Sequence, residues 1–358
     1  MNIAPYSEEF LKSLVEEPVP GIYFNLPEDT YHQIRALGST GVKKLAIDPC
    51  EFQFDRLYGE DVDSKAKLFG NALHARVLEG RRAYEDRFYV NVPPDIPDDA
   101  LRTVDDFKEF LTELGQSGLS KLNKPGLIKL VRDLEPAKAI ADDIIAEHKA
   151  LNEGKTELDA KLYRQVELAA EWLNRDPLIG DSMEDGAFIE GAPEVSIIVD
   201  DNGVLIKARL DRMMRTGIID LKSYAPMFDE PLEKSFEKTV RRLGYKIQGA
   251  HYRRIWHMAK ELYLDNAMPV IGPEPYDGFL KDCFDHDEPA WFWLAVKRKG
   301  APSPFVVQWT GKTDYQNALN DVERAISDYR QLRDEFGDQA DWIPNRGVYE
   351  MTDDSYYQ

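Results

Sequence analysis

Cysteine is nearly absent: Cys50 and Cys283 are the only two among 358 residues. Far apart and each alone in its neighbourhood, they exclude a four-cysteine zinc or iron–sulfur site. Both read as reduced, small buried hydrophobes in a cytosolic protein. No apolar run approaches the length of a membrane span. The first residues, Met1-Asn-Ile-Ala-Pro-Tyr-Ser-Glu-Glu9, carry no basic region followed by an apolar one. The expectation is therefore a cytoplasmic protein of a bacterial host, with no membrane partner. Internal repeats and low-complexity linkers are also missing. Positive charge is in deficit, with 45 Lys and Arg against 65 Asp and Glu and a net charge of −20. That balance counts against a protein that coats nucleic acid by bulk electrostatics.

What remains is a chain able to fold, since 43% of its residues are hydrophobic. Basic residues gather locally at Lys234, Lys238, Arg241, Arg242, Lys246, Arg253 and Arg254, and again at Lys297-Arg298-Lys299. Acids dominate 98–113 and 334–341. This polarity suits a focused groove, although a solvated helix face is the commoner origin of any one charge run. Residues 1–30, with Pro18, Pro20 and Pro27, read as a loose segment. Helices are predicted near 41–48 with Ser39-Thr40 as N-caps, from Glu51, over 64–79, over 104–114 within a Pro- and charge-rich excursion, and over 126–148 and 155–174. From Ala187 the period changes to two. A strand is expected over 190–199, then a hairpin, a helix over 236–261, strands at 291–296 and 305–309, and a helix over 313–336. The fold class is α/β, a single domain over 31–358 with a catalytic core of about 64–310.

The hairpin, Gly203 to Ser223, is the most informative stretch. Acids and a lysine occupy strand positions there: Asp211, and Asp220-Leu221-Lys222. Alternation puts Asp220 and Lys222 on one face and Leu221 on the other. A two-residue turn at Arg215-Thr216 sets Asp211 opposite Asp220, and one at Thr216-Gly217 sets it opposite Lys222. Either unites all three side chains, whereas a three-residue turn breaks the cluster. Two carboxylates joined by a backbone carbonyl hold a hard divalent cation, and a lysine beside them orients water or stabilises developing charge. A metal-dependent phosphodiesterase site follows. The bland alternative is a solvated hairpin face, and on D-x-K alone it is the commoner case.

Companions adjust that balance. His74 lies in Leu68-Phe-Gly-Asn-Ala-Leu-His74, where a packed core histidine is the default. Glu194 shares a strand face with Ser196 and Ile198, where a solvated edge glutamate is the default. Gln248 and Tyr252 stand at i and i+4 on one helix face.

In order, these residues resemble the RecE-type, RecB-like exonuclease branch of the PD-(D/E)XK nuclease superfamily. The pattern is Leu-Phe-Gly-x-Ala-Leu-His, a strand Glu, Arg-x-Asp, Ile-Asp-x-Lys, and Tyr-x-x-Gln-x-x-x-Tyr. The stretch from Tyr31 to Leu45 also resembles the segment opening phage and prophage members, so the likeness spans about 31 to 260. The resemblance implies a restriction-endonuclease-like core, a central mixed β-sheet flanked by helices, with a helical N-terminal elaboration. It implies that His74, Asp211, Asp220 and the Leu221 carbonyl ligate Mg²⁺ or Mn²⁺. Lys222 then positions the attacking water, and Glu194 is an outer ligand or water anchor. Gln248 and Tyr252 hold the scissile strand, and Arg209 touches phosphate. Asp220 stands where the branch more often has Glu. It further implies 5′-to-3′ digestion of double-stranded DNA ends in phage-type recombination, a RecT-like single-strand annealing partner, and a homo-oligomeric ring. A PD-(D/E)XK endonuclease or defence nuclease, and a non-catalytic DNA- or protein-binding module, are the alternatives.

Overall fold

A computed structural model describes residues 6–59, 64–93, 95–226, 229–345 and 347–348. Helix α1 (Glu8–Glu16) and strand β1 (Gly21–Tyr23) come first, then helices α2 (Glu28–Gln33), α3 (Ser39–Ile47), α4 (Pro49–Tyr58) and α5 (Lys65–His74). The α5 helix runs on into a π-helical turn, Ala75–Glu79, before α6 (Arg81–Arg87) and β2 (Phe88–Val90). Next come α7 (Val104–Glu113), α8 (Lys124–Leu134), α9 (Ala141–Leu151), β3 (Thr156–Leu158) and α10 (Ala160–Asn174). A small hairpin, β4 (Met183–Glu184) and β5 (Ala187–Phe188), leads into β6 (Ala192–Asp200), β7 (Leu205–Met214) and β8 (Gly217–Tyr224). The chain continues through α11 (Leu232–Arg242), α12 (Tyr245–Leu264), β9 (Val270–Ile271), α13 (Phe279–Phe284), β10 (Ala290–Lys297), β11 (Phe305–Gln308) and α14 (Lys312–Phe336).

Seven strands form a mixed sheet in the order β11-β10-β8-β7-β6-β1-β9, with β8/β10 and β1/β9 parallel and the other neighbours antiparallel. Alternating side chains of β8 and β10 serve two cores. Ile218, Tyr224, Trp291, Trp293 and Ala295 join the larger cluster, with Val42 and Leu45 of α3, Phe236 of α11, Ile255 and Trp256 of α12, and Val322 and Ile326 of α14. Leu221, Leu294 and Val296 pack on the other side with Phe69 and Leu73 of α5 and Val166, Ala169 and Leu173 of α10. Helices thus flank both faces, as expected. Each fully buried large apolar side chain contributes about 2 kcal/mol through removal from water. A separate cluster of Leu101, Phe107, Leu111, Leu119, Leu127, Val131 and Ile140 holds α7 and α8 together.

Several elements differ from expectation for local reasons. Residues 7–26 are not loose: β1 pairs with Ser196–Ile198 of β6 and with β9, and Tyr6 donates to the Phe24 carbonyl at 2.6 Å. The helix expected over 126–148 is two, because Pro136 lacks an N–H and forces Glu135 out of helical geometry. Residues 156–158 form β3 instead of helix, and α10 starts after Asp159, whose carboxylate accepts from Leu162 N at 2.8 Å. The helix expected over 236–261 breaks at Gly244, whose φ of +63° is left-handed. Gly38, not Ser39 or Thr40, caps α3.

Candidate active site

The hairpin turn is Arg215-Thr216, with Met214 paired to Gly217, Met213 to Ile218 and Arg212 to Ile219. One further step brings Asp211 level with Asp220, and there the ladder stops. From that point β7 stays with β6 and β8 stays with β10, so the two strands part. Leu221 N–H fills the opening by donating to Asp211 Oδ2 at 2.8 Å. The β6–β7 ladder is also interrupted at this level, running from Pro193↔Arg212 to Val195↔Leu210 and passing over Glu194 and Asp211. Glu194 has φ +52°, a left-handed conformation that costs a non-glycine residue about 1–2 kcal/mol. The core-facing residues of both strands register the slip, with intervals of three between Ala192 and Val195 and between Leu210 and Met213. Simple strand parity therefore fails at the two positions that carry the chemistry.

The slip delivers Glu194 and Asp211 to His74. The α5 helix presents that histidine at its last turn, just before the π-helical turn, a distortion often found at functional sites. His74 Nε2 lies 3.1 Å from the Leu221 carbonyl and 3.6 Å from Asp211 Oδ2, while Nδ1 lies 3.7 Å from Glu194 Oε1. One donor atom from each of His74, Glu194 and Asp211 falls within 4.8 Å of the others, the arrangement a metal ion needs. Because Nδ1 faces Glu194 and Nε2 faces Asp211 and the carbonyl, Glu194 orients the ring from behind. Glu194 is itself held by an ion pair with Arg209, whose Nη1 also donates to Leu26 O at 2.9 Å and Ser196 Oγ at 3.1 Å. Arg209, expected to touch phosphate, is engaged here with Glu194, Leu26 and Ser196.

Asp220 does not join the 4.8 Å cluster among the described residues. Its side chain turns toward α12: Lys222 Nζ stands 2.8 Å from each carboxylate oxygen and Gln248 Nε2 donates to Oδ1 at 3.2 Å. Both carboxylate oxygens thus face the ammonium, in a site where Asp220 is almost fully buried. Tyr252, one helical turn beyond Gln248, is buried against the edge of Trp291, with the Ser39 side chain at its phenol.

Electrostatics follow from this crowding. Burial, joined by Asp220, pushes the Asp211 carboxyl up to about 7, against His74 and Lys222. Burial works against charge on His74 as well, but Asp211 and Glu194 outweigh it and raise the imidazole to about 9. His74, Asp211 and Glu194 thus titrate as one coupled group and not as three independent ones. Lys222 is likewise disfavoured by burial, yet Asp220 and Asp211 hold it above the ordinary lysine value. It is a fixed cation, suited to placing water or stabilising negative charge and unsuited to taking a proton. An oxygen-rich donor set with one imidazole, a carbonyl and neighbouring carboxylates fits a hard divalent cation. Lys43 and Tyr245, which also border this site, carried no signal in the sequence beyond membership of the Tyr31–Leu45 and Tyr-x-x-Gln stretches.

A mixed sheet parted between Asp211 and Asp220-x-Lys222, with helices on both faces, defines a nuclease-like domain of the PD-(D/E)XK type. The chain belongs to the family described as "PDDEXK-like domain of unknown function (DUF3799)", whose model matches residues 39–271. Among solved structures it is similar to one described as a "Putative exonuclease" from Eubacterium rectale, at 18% identity over 86% of each chain and a TM-score of 0.44. No curated protein matches. No helix of the described residues is long and apolar enough to cross a membrane.

Proposed function

We propose that this chain is a Mg²⁺- or Mn²⁺-dependent deoxyribonuclease that digests linear double-stranded DNA from its ends, 5′ to 3′. The observation that carries the reading is the His74, Glu194 and Asp211 cluster beside the Asp220–Lys222 pair, at the point where β7 and β8 part. His74 Nε2, Asp211 Oδ2, the Leu221 carbonyl and Asp220 Oδ2 would hold the ion. When bound, the ion polarises a phosphoryl oxygen and makes water more acidic. Glu194 and Arg209 fix the imidazole. Lys222 holds its charge toward the position of water and of the developing oxyanion. Gln248 keeps Asp220 in place, and Tyr252 lines the strand side.

End-directed digestion rests on the resemblance of the ordered motifs to the RecE-type branch. With it come three further parts of the proposal: action in phage-type recombination in a bacterial cytoplasm, a single-strand annealing partner, and assembly into a ring around DNA. A ring with a basic interior reconciles a net charge of −20 with a DNA substrate.

The test compares end-labelled linear duplex with closed circular DNA, with Mg²⁺ and with EDTA. Degradation of the linear form alone, and only with metal, is expected. Cutting in EDTA, or full activity in Lys222→Ala, overturns the mechanism. Cutting of closed circles replaces end-directed digestion with an endonuclease and leaves the metal site standing.

A further inference from the structure

Outside the residues assigned above, Lys43 places a further cation at the same opening. Lys43, in the middle of α3, extends its side chain to the N-terminus of α12. Its stem lies over Gly244, where an added Cβ would meet Lys43 Cδ at 3.2 Å and Cγ at 3.4 Å. Its ammonium reaches within 5.8 Å of the Tyr245 ring, which also lies 5.0 Å from the ammonium of Lys222. One tyrosine thus separates two lysines.

The carboxylates do not match that pairing. Asp220 is engaged by Lys222 and Gln248. Among the described residues no carboxylate lies within ion-pair distance of Lys43, whereas its neighbour Lys44 is paired with Asp55. Burial and the Lys222 charge both depress the Lys43 pKa, with only Asp220 opposing them. A half-buried ammonium facing a second cation is costly to keep unless an anion arrives to compensate it. The Lys43 stem rests beside Gly244 and its ammonium lies near the Tyr245 ring, a packing that lowers the cost of ordering the charge.

We propose that Lys43 is a substrate-positioning residue that contacts a DNA phosphate at the opening between α3 and the N-terminus of α12, beside the Lys222 side chain. This rests on the nuclease reading. Phosphate is the anion that reading brings to the Asp220–Lys222 pair, and a lysine binds it as a point charge. A solvated surface lysine, the ordinary alternative, would need neither the Gly244 seat nor the aromatic neighbour.

The experiment measures binding of a short linear duplex across a salt series, with Ca²⁺ replacing Mg²⁺, for the intact protein, Lys43→Met and Lys43→Arg. Steady-state kinetics in Mg²⁺ and thermal melting accompany it. Loss of one phosphate contact reduces the slope of log K against log salt by about 0.9. Lys43→Met is expected to show that reduction and a raised KM with kcat changed far less, and Lys43→Arg to restore the slope. An unchanged slope and KM in a folded Lys43→Met makes the lysine a packing residue and overturns the proposal. If Lys43→Met fails to fold, Lys43→Gln carries the same comparison. Absence of DNA binding and cleavage in the intact protein fells the nuclease reading itself, a result distinct from failure at Lys43 alone.

Discussion

Asp211 accepts a hydrogen bond from the backbone N–H of Leu221 at 2.8 Å, across the opening where β7 and β8 cease to pair. The contact spans the gap that a continued ladder would close. It leaves Asp211 Oδ2 turned toward His74 and the Leu221 carbonyl free to face the same histidine. Two adjacent strands thereby contribute a side chain and a main-chain oxygen to one small space.

In the proposed site Glu194 acts through the imidazole it faces, so its loss should weaken metal binding more than the chemistry. Glu194→Gln is expected to raise the Mg²⁺ concentration needed for half-maximal cleavage about 10- to 100-fold, with activity largely recovered at saturating metal. Arg209→Ala should move the same parameter in the same direction. A metal titration of initial rates checks both. An unchanged half-saturation with lost maximal rate would assign Glu194 to the reacting centre instead.

Lys222 and Asp220 form a buried pair, with Asp220 only 1% exposed. Removing the cation alone leaves an uncompensated carboxylate, so Lys222→Met is expected to lose about 3 kcal/mol of stability. The double variant Asp220→Asn with Lys222→Met should regain most of that loss while remaining inactive. Urea denaturation in EDTA measures the three stabilities.

His251 is fully buried on α12 with Nε2 3.1 Å from the Lys207 carbonyl, and burial pulls its pKa down to about 4. A folded value below the unfolded one, about 6.5, means that the unfolded chain binds the proton more readily. The stabilising difference is fully present above pH 6.5 and is lost as pH falls through about 4. The loss amounts to about 3 kcal/mol. Urea unfolding of the native protein and His251→Gln at pH 7 and pH 4.5 should show a steeper acid loss in the native protein. Parallel curves would remove His251 as the cause.

Gly244 ends α11 and begins α12 in a left-handed conformation, with Lys43 packed on its open side. Gly244→Ala is expected to cost about 1–2 kcal/mol, through backbone strain and the crowded lysine stem. A lowered urea midpoint with unchanged slope is the readout.

Much of this site was legible in the residues themselves. The Arg215-Thr216 turn is one of the two that strand parity allowed, and the Gln248-to-Tyr252 helical spacing puts both on α12. Parity could not foresee that β6 and β7 slip at Glu194 and Asp211. A glutamate in a left-handed conformation leaves no compositional trace, because the surrounding sheet imposes it. Parity also could not show that Lys222 and Gln248 both hold the Asp220 carboxylate. The N-terminal segment was read as loose because a strand of three residues, flanked by prolines, has too short a pattern to show period two. Arg209 looked free for phosphate only because its partners, Glu194, Leu26 and Ser196, converge through tertiary packing.

The seating of β1 sets a schedule for maturation. Leu26 O and Arg209 Nη1 meet across 183 residues of chain, and Tyr6 reaches Ile271 O across 265. Such distant closures lag behind local ones, and on a ribosome the early segment must wait for its later partners to be synthesised. The Leu26 contact behind Glu194 therefore waits for Arg209, and the Tyr6 contact waits for β9. A nascent chain arrested before that point carries Glu194, Asp211 and Asp220 yet lacks the strand that pairs with the outer side of β1.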